Sequence, residues 1–240
     1  MARVARIVIP GVPHHVTQRG NNRQAVFFVD GDRWTYLEFL REEADPAGLE
    51  VLAYCLMANY VHLVVIPAEE GSLARAIGRT HYRYTQYVNR RHGRSGHLWQ
   101  SRYYSCALDD VCAVAALRYT ERNPVRADLV GAPWEYRYSS AAAHVGGVER
   151  TGLLALGKWW AQWRPDGWRE VLAEPDEQPG AAALRRATAT GWPLGSEESI
   201  RGHEQALGRS LQPGPRGRPG KTGTVTLFHK APRFGLSGKG

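Results

Sequence analysis

The stretch "CLMANYVHLVV", residues 55–65, places one histidine in an apolar run that predicts a β-strand. Tyr60 and His62 stand two positions apart in it, and side chains at that spacing share one face of a strand. Two histidines so arranged would indicate a metal site, since imidazole is the commonest metal ligand in proteins. With a tyrosine in the first position, two alternatives stay open: His62 binds a metal, or it is an ordinary hydrogen-bonded strand residue.

The segment "YTERNPV" pairs a nucleophile with an oxygen donor. Tyr119 and Asn123 are four positions apart and therefore share a face of the predicted helix. An amide oxygen suits Mg²⁺ or Mn²⁺, and a tyrosine beside a metal-bound phosphate can act as a nucleophile. The side chains alone leave a second interpretation open, in which Tyr119 packs in the core and Asn123 ends the helix before Pro124.

Residues 71–108 combine aromatic residues with seven arginines and contain no aspartate or glutamate. Arginines that contact phosphates, with aromatic rings that stack bases, are typical of proteins that hold single strands. The alternative is a solvated helix face with buried aromatic residues. The arginines are Arg75, Arg79, Arg83, Arg90, Arg91, Arg94 and Arg102.

Hydrophobic spacing and turn residues predict the elements that carry these side chains. A strand begins near His14, and a helix has Asp30 or Asp32 as its candidate N-cap and ends before Pro46. Two strands follow, joined through residues 58–59. A second helix has Ser72 as its candidate N-cap, and a β-like segment leads to a third helix. Asp109 or Asp110 caps that helix and Pro124 ends it.

The order β-α-β-β-α-β-α predicts an α+β, ferredoxin-like fold, a four-stranded antiparallel sheet with helices on one face. We assign residues 1–145 to this domain and residues 146–211 to a helical C-terminal extension. A helix in the extension starts near Ser196 or Glu197. Residues 212–240 are rich in Pro, Gly and basic residues and are expected to form a flexible tail.

Charge and composition narrow the functional classes. The net charge is +8, and residues 201–240 alone carry eight Lys/Arg against one acidic residue. Such basic regions suit a phosphate-bearing partner. The apolar runs are too short to cross a membrane, and the N-terminus shows no signal peptide. The unpaired spacing of Cys55, Cys106 and Cys112 fits a reducing cytoplasm.

Four segments within residues 1–145 stand in an order that resembles a known family. They are "HHVTQRGNNRQAVF", "YCLMANYVHLVV", "GHLWQSRYYS" and "YTERNPVRADLV". Together they resemble the REP-associated tyrosine transposases and the related single-tyrosine insertion-sequence transposases of the HUH nuclease superfamily. The pattern Tyr-x-x-x-Asn-Pro-Val is highly characteristic of that family. Part of the C-terminal region also resembles an extension that some members carry.

The resemblance implies an activity and a set of roles. Such proteins bind single-stranded DNA that folds into imperfect hairpins, and a tyrosine attacks a backbone phosphate. The products are a 5′-phosphotyrosine and a free 3′-hydroxyl. By motif position Tyr119 would be the nucleophile, His62 the second histidine of the HUH motif and Asn123 the third ligand of a divalent metal, Mg²⁺ or Mn²⁺.

The resemblance also implies where DNA would bind. Arg19, Asn21, Asn22 and Arg23 lie in the loop that is expected to read bases beside the hairpin. We expect further backbone contacts from the arginines of residues 71–108, namely Arg79, Arg83, Arg90, Arg91, Arg94 and Arg102. The expected partner is hairpin DNA, bound by a monomer or homodimer in the nucleoid.

The sequence departs from the family pattern at Tyr60, which stands where the first histidine is expected. A neutral phenol is a poor ligand for a hard cation, so metal binding should be weakened about 10- to 100-fold or more. His14 or His15 could compensate. Three functions stay open: a metal-dependent strand transferase, which we favour, a hairpin-binding protein without cleavage, and an RNA-binding module.

Overall fold

One four-stranded antiparallel sheet organises the protein. The computed structural model describes residues 6–157, 159, 164–175 and 178–211. The strands are β1 His14–Arg19, β2 Leu49–Met57, β3 Tyr60–Pro67 and β4 Tyr104–Ala107, and their order across the sheet is β2-β3-β1-β4. This is the ferredoxin-like arrangement, so the predicted fold class is confirmed. The expected flexible tail, residues 212–240, lies outside the described residues.

Eight α-helices are bounded within the described segments. They are α1 Asp30–Ala44, α2 Ser72–Arg91, α3 Asp110–Glu121, α4 Asn123–Arg126, α5 Ala141–His144, α6 Pro165–Ala173, α7 Gln178–Thr190 and α8 Glu197–Leu207. None of the helices in these segments is long and apolar enough to cross a membrane.

Helices α1 and α2 cover one face of the sheet. Leu63 of β3 packs there with Leu40 of α1 and Ile77 of α2, and all three are fully buried. Burying a side chain of this size contributes about 1.5–3 kcal/mol. The alternating residues of β3 therefore fix which of its side chains face these helices and which face the opposite side.

The opposite face is covered by α3 together with the C-terminal helices. Val64 of β3 and Cys106 of β4 share a hydrophobic cluster with Ala116 of α3, Trp168 of α6 and Leu184 of α7. Helices therefore lie on both faces. Helices α1 and α2 form the layer on one face that the fold prediction describes. The second layer, on the other face, is formed by α3 and the C-terminal helices.

A buried carboxylate holds this second layer together. Glu121 has no exposed surface, and it accepts hydrogen bonds from Trp168 Nε1 at 2.8 Å and from Ser140 Oγ. His144 Nδ1 lies 2.6 Å from the same carboxylate. A buried charge without such partners would be strongly destabilising. The end of α3 is thus tied to both α5 and α6.

The predicted N-cap of α3 is confirmed, and α8 begins where the sequence predicted a helix start. Asp109 caps α3, since its carboxylate accepts a hydrogen bond from Cys112 N. Ser196 caps α8 in the same way, with Ser199 N as the donor. Side-chain oxygens at this position satisfy amide groups that the first helical turn leaves without a partner.

Two other cap assignments are wrong. The residue that precedes α1 is Val29, and Asp32 instead accepts from the amides of Phe28 and Val29 from inside the first turn. Ser72 is the first residue of α2, and Gly71 precedes it. In both cases the polar side chain accepts a hydrogen bond from the backbone that precedes the helix, and for Ser72 the donor is Glu69 N. Spacing alone therefore places the cap one to three residues too late.

Candidate active site

Strand register gathers polar and aromatic side chains on the face that α3 covers. His62 of β3 pairs with Thr17 of β1, and Thr17 pairs with Tyr104 of β4. Directly opposed residues point to the same side of a sheet. This row crosses the sheet to its β4 edge. Tyr60 and Arg19 form the next pair on that face.

Helix α3 brings Tyr119 over this floor. The Tyr119 ring makes edge-to-face contacts with His15 and His62, at centroid distances of 5.8 and 5.9 Å. His62 also stacks on Tyr60 at 5.3 Å. The predicted nucleophile, the predicted second histidine and the replacing tyrosine are therefore neighbours.

Asn123 borders the same cleft because the backbone stays helical between α3 and α4. The amide of Arg122 donates to Arg118 O, and that of Arg126 donates to Arg122 O. The Tyr119–Asn123 spacing predicted from the sequence is thus realised across the junction. Pro124 is accommodated in the first turn of α4, where a proline is tolerated.

Arg126 links the two key residues. Its Nη2 donates to the backbone oxygen of Tyr119 and to the side-chain Oδ1 of Asn123, each at 2.7 Å. Its guanidinium carbon also lies 4.0 Å from the centre of the Tyr119 ring. This cation is therefore part of the site, although the sequence patterns did not single it out.

These side chains line a cleft of about 680 Å³. Its polar lining includes three arginines and no aspartate or glutamate among the described residues. A concave surface with only positive formal charge is suited to an anion such as a DNA phosphate. The arginines are Arg19, Arg126 and Arg185.

A chain of hydrogen bonds sets the tautomers of the two cleft histidines. Thr188 Oγ1 donates to Leu184 O at 2.8 Å, so its oxygen accepts from His15 Nδ1, 2.7 Å away. A neutral His15 then carries its lone pair on Nε2, which lies 3.4 Å from His62 Nδ1. With its proton on Nδ1, a neutral His62 has a free lone pair on Nε2.

Both histidines are held neutral by their surroundings. Burial, together with the positive charge of Arg126, lowers the pKa of His15 to about 3. Burial also holds the pKa of His62 well below its usual range, and His15 and Arg126 act in the same direction. Neutral imidazoles are required for the tautomer chain described above.

The described donors do not fit the predicted divalent cation. Asn123 Oδ1 already accepts a hydrogen bond from a guanidinium, and the ligand position at residue 60 offers only a neutral phenol. Hard cations favour carboxylate oxygens, and the described lining supplies none. The described residues also contain no cluster of three His, Cys, Asp or Glu side chains able to hold a metal. The requirement for Mg²⁺ or Mn²⁺ stays a prediction.

His15 and His14 lie on different faces of β1. His15 is in the cleft. His14 pairs with Val65, its Nε2 accepts from Ile9 N, and its Nδ1 bonds to Val12 O at 2.7 Å. His14 is therefore occupied by backbone groups outside the cleft, and only His15 is placed where a compensating ligand would have to be.

The predicted base-reading loop follows β1 at the rim of the cleft. Asn22 and Arg23 are exposed, and both adopt positive φ angles, 49° and 62°. Consecutive left-handed residues other than glycine are uncommon. Asn59, which lines the cleft, donates from Nδ2 to Arg23 O, and Asn21 N donates to Leu98 O. These bonds hold the loop in that conformation.

The arginines of residues 71–108 do not converge on the cleft. Arg79 pairs with Glu43, and Arg83 pairs with both Glu42 and Glu43, all on the face of α1 and α2. Arg90 and Arg91 border a shallow groove on that same face. Arg94 donates to Gln24, which follows the predicted base-reading loop, and Arg102 lies beyond the β4 edge.

Several cleft residues were missed by sequence reasoning. Arg126, Arg185 and Thr188 carry no motif of their own, and the last two come from α7. The one available signal was the segment "NPVRADLV", which places Arg126 one turn after Asn123 on the same face. No local signal marks Arg185 or Thr188, because their place depends on how α7 packs on the sheet.

Comparison with known protein families gives one match. Residues 10–123 match the family described as "Transposase IS200 like". No curated protein sequence matches the chain. The matching segment contains the sheet, Tyr119 and Asn123, and it is similar to an IS200-like transposase domain.

Two solved structures are similar to the protein. One is a REP-associated tyrosine transposase bound to a REP hairpin, 16% identical, with a TM-score of 0.49; the alignment covers 60% of this chain and 86% of that one. The other is a putative transposase from Deinococcus radiodurans R1, 22% identical, with a TM-score of 0.36, covering 50% and 97%.

Proposed function

We propose that this protein binds hairpin-forming single-stranded DNA and cuts and rejoins it through Tyr119. One observation carries the proposal: Tyr119, His62 and Asn123 border one cleft whose described lining holds three arginines and no acidic residue. The family match of residues 10–123 supports a role in DNA transposition. The preference for hairpins follows from the resemblance of the four sequence segments.

The proposed reaction is a transesterification at a backbone phosphate. The Tyr119 oxygen forms a bond to phosphorus, and the bond from phosphorus to the 3′-oxygen breaks. The phenolic proton is balanced by the proton that the departing 3′-oxygen gains, so a 5′-phosphotyrosine and a 3′-hydroxyl result. Because one ester replaces another, the step is readily reversed, which suits strand transfer.

The protein supplies charge and position in this scheme. Tyrosine is a weak nucleophile at neutral pH, so catalysis depends on stabilising the charge that develops on the phosphate. Arg19, Arg126 and Arg185 border the cleft and can do so. The scheme takes its positive charge from these arginines, and no step in it requires a divalent ion.

A covalent-capture experiment tests the proposal. A hairpin oligonucleotide with an end label is incubated with the protein, with Mn²⁺ or with EDTA, and the mixture is resolved under denaturing conditions. We expect a labelled protein band from the wild type. Tyr119→Phe, which removes the attacking oxygen and keeps the ring, should bind the hairpin and give no band. A band from Tyr119→Phe would contradict the assignment of the nucleophile.

A second function, hairpin binding without cleavage, is favoured by two details of the site. Tyr60 replaces the expected histidine, and Asn123 Oδ1 is engaged by Arg126. If this function is correct, the wild type binds the hairpin but forms no adduct in either Mn²⁺ or EDTA. Failure to prefer a hairpin over an unstructured strand would contradict both functions.

A further inference from the structure

We infer that a single-stranded DNA tail leaves the Tyr119 cleft across the β4 edge and stacks an unpaired base on Tyr104. This inference rests on the proposed function, and it adds a second binding site to it. The site is a groove of about 380 Å³ beside the β4 edge, here called the edge groove, lined in part by Arg6, Arg102, Tyr104 and Trp192.

The cleft and the edge groove are continuous. Tyr104, Thr188 and Ala189 line both of them. Strand register explains the path, because His62, Thr17 and Tyr104 are opposed across three neighbouring strands. A strand held at Tyr119 can therefore run over Thr17 toward the sheet edge, beside Thr188 and Ala189 of α7.

The charge of the combined surface selects a polyanion. The two linings together include five arginines and no aspartate or glutamate among the described residues. The chain as a whole carries 23 acidic residues, and none of those described lies in either lining. This favours a phosphate-bearing partner over a protein partner. The arginines are Arg6, Arg19, Arg102, Arg126 and Arg185.

Tyr104 is the aromatic residue best placed to stack a base. It belongs to an edge strand that pairs with β1 on one side only, and 43% of its surface is exposed. Farther along, the other side of β4 is closed by a hydrogen bond from Leu194 N to Ala107 O. Only the Tyr104 end of the strand therefore opens into the groove. A base that stacks on a tyrosine must be unpaired, which selects a single strand.

One buried polar atom points to a ligand independently of charge. Arg19 lines the cleft, and its Nε is buried without a hydrogen-bond partner among the described residues. Buried donors are normally satisfied, and a phosphate or base oxygen would satisfy this one.

The experiment compares two probes, a blunt hairpin and the same hairpin extended by an oligothymidine tail. The readout is the ratio of their dissociation constants. Stacking one base on an aromatic ring is worth roughly 5- to 150-fold in affinity, and the wild-type ratio should fall in that range. Tyr104→Ala should bring the ratio close to one, and Tyr104→Phe should preserve it. Arg102→Gln should reduce it partly.

A matched control uses another exposed tyrosine. Tyr82 on α2 is 67% exposed and lies outside both linings, so Tyr82→Ala should keep the wild-type ratio. Stacking is read directly by placing 2-aminopurine at successive tail positions, since its fluorescence is quenched when it stacks. Quenching at one position that Tyr104→Ala abolishes supports the inference.

The outcomes separate this inference from the proposed function. If the wild type binds the blunt hairpin and the tail adds nothing, or if Tyr104→Ala keeps the wild-type ratio, the tail site is wrong and the proposed function stands. If neither hairpin is bound, both are wrong. A larger gain from an oligouridine RNA tail than from the DNA tail would overturn the assignment to DNA.

Discussion

Arg126 links Tyr119, the proposed nucleophile, to the side-chain amide of Asn123, the proposed metal ligand. Its Nη2 donates both to Tyr119 O and to Asn123 Oδ1. A divalent ion drawn to that amide oxygen would meet a fixed positive charge within a few ångströms, where like charges repel strongly. Tyr60 and Arg126 therefore oppose a metal by different means, one as a poor ligand and the other as a competing cation.

A histidine at position 60 should therefore not be sufficient to give tight metal binding. We expect Tyr60→His alone to change Mn²⁺ affinity by less than about tenfold, and Tyr60→His with Arg126→Gln to raise it by a further 10- to 100-fold. Isothermal titration with Mn²⁺ and the electron paramagnetic resonance signal of bound Mn²⁺ measure this without reference to activity. Tight binding by the single variant would contradict the role of Arg126.

The control for this pair removes an arginine outside the cleft. Arg201 of α8 pairs with Glu197 at the surface. Tyr60→His with Arg201→Gln loses the same formal charge, and it should bind Mn²⁺ as Tyr60→His does. A gain equal to that of the Arg126 variant would mean that net charge, and not the position of the guanidinium, decides metal affinity.

At the scale of elements, α7 completes the site. It supplies Arg185, Thr188 and Ala189 to a cleft whose floor is the sheet and whose wall is α3. Thr188 also lies 3.3 Å from Cys106 Sγ on β4. The helix therefore joins the histidine pair to the edge strand, and it determines the tautomers as well as the shape of the cleft.

Removing the Thr188 hydroxyl should release the histidine tautomers. Thr188→Val preserves the shape and leaves His15 Nδ1 without its acceptor, so we expect a loss of about 1–3 kcal/mol in the free energy of unfolding. ¹⁵N resonances of the His15 and His62 rings should change from a single tautomer to a mixture. Thr188→Ser keeps the hydroxyl and should keep the wild-type spectrum. An unchanged spectrum in Thr188→Val would refute the hydrogen-bond chain.

One carboxylate connects α3 to α8. Asp109 accepts from Cys112 N at 2.8 Å and from Ser196 N at 2.7 Å. The approach is close: a Cβ on Gly195 would lie 2.8 Å from Asp109 Oδ2, so a larger residue there would displace the carboxylate. The cap of α3, the helix that carries Tyr119, is thus shared with the entry to the last described helix.

Removing this shared cap should cost more than removing its neighbour. Asp109→Ala should lower the free energy of unfolding by about 2 kcal/mol. Asp110→Ala changes an exposed acid in the same first turn and should cost about 0.3–1 kcal/mol. Urea denaturation of both variants measures the difference. Equal losses would show that only the charge near the helix start matters.

Sequence patterns predicted what depends on neighbours along the chain. Strand and helix order, the Asp109 cap and the shared face of Tyr119 and Asn123 all follow from local spacing. The pairing of Arg79 and Arg83 with Glu42 and Glu43 does not, since those acids lie about 40 positions earlier, on another helix. A charge run in one segment says nothing about the partner that tertiary packing brings to it.

For the molecule as a whole, buried neutral histidines couple folding to pH. Burial lowers the pKa of His14 to about 4, although its hydrogen bond to Val12 O opposes the shift. Burial lowers the pKa of His81 to about 3, and Arg6 adds to the effect. His81 contacts Tyr36 and Trp99 inside the core of α1 and α2. Neither group can take a proton without losing its native surroundings.

Stability should therefore fall as the solution is acidified. Below pH 6.5 the unfolded chain protonates these histidines and the folded chain does not, so each contributes a loss of about 1.4 kcal/mol per pH unit. The loss continues until the folded pKa is reached. His81→Gln should make the dependence of unfolding free energy on pH shallower by about one proton. Equal slopes for this variant and the wild type would refute the coupling.

The contribution of α7 to the cleft also fixes when, during synthesis, the site can exist. The last strand of the sheet ends at Ala107, but Thr188 and Ala189 must be present before the cleft has its full wall. At about 5–20 residues per second, the ribosome needs roughly 4–16 s to make the intervening stretch of about 80 residues. During synthesis, Tyr119, the proposed nucleophile, is therefore made before the residues of α7 that complete the proposed DNA-binding cleft.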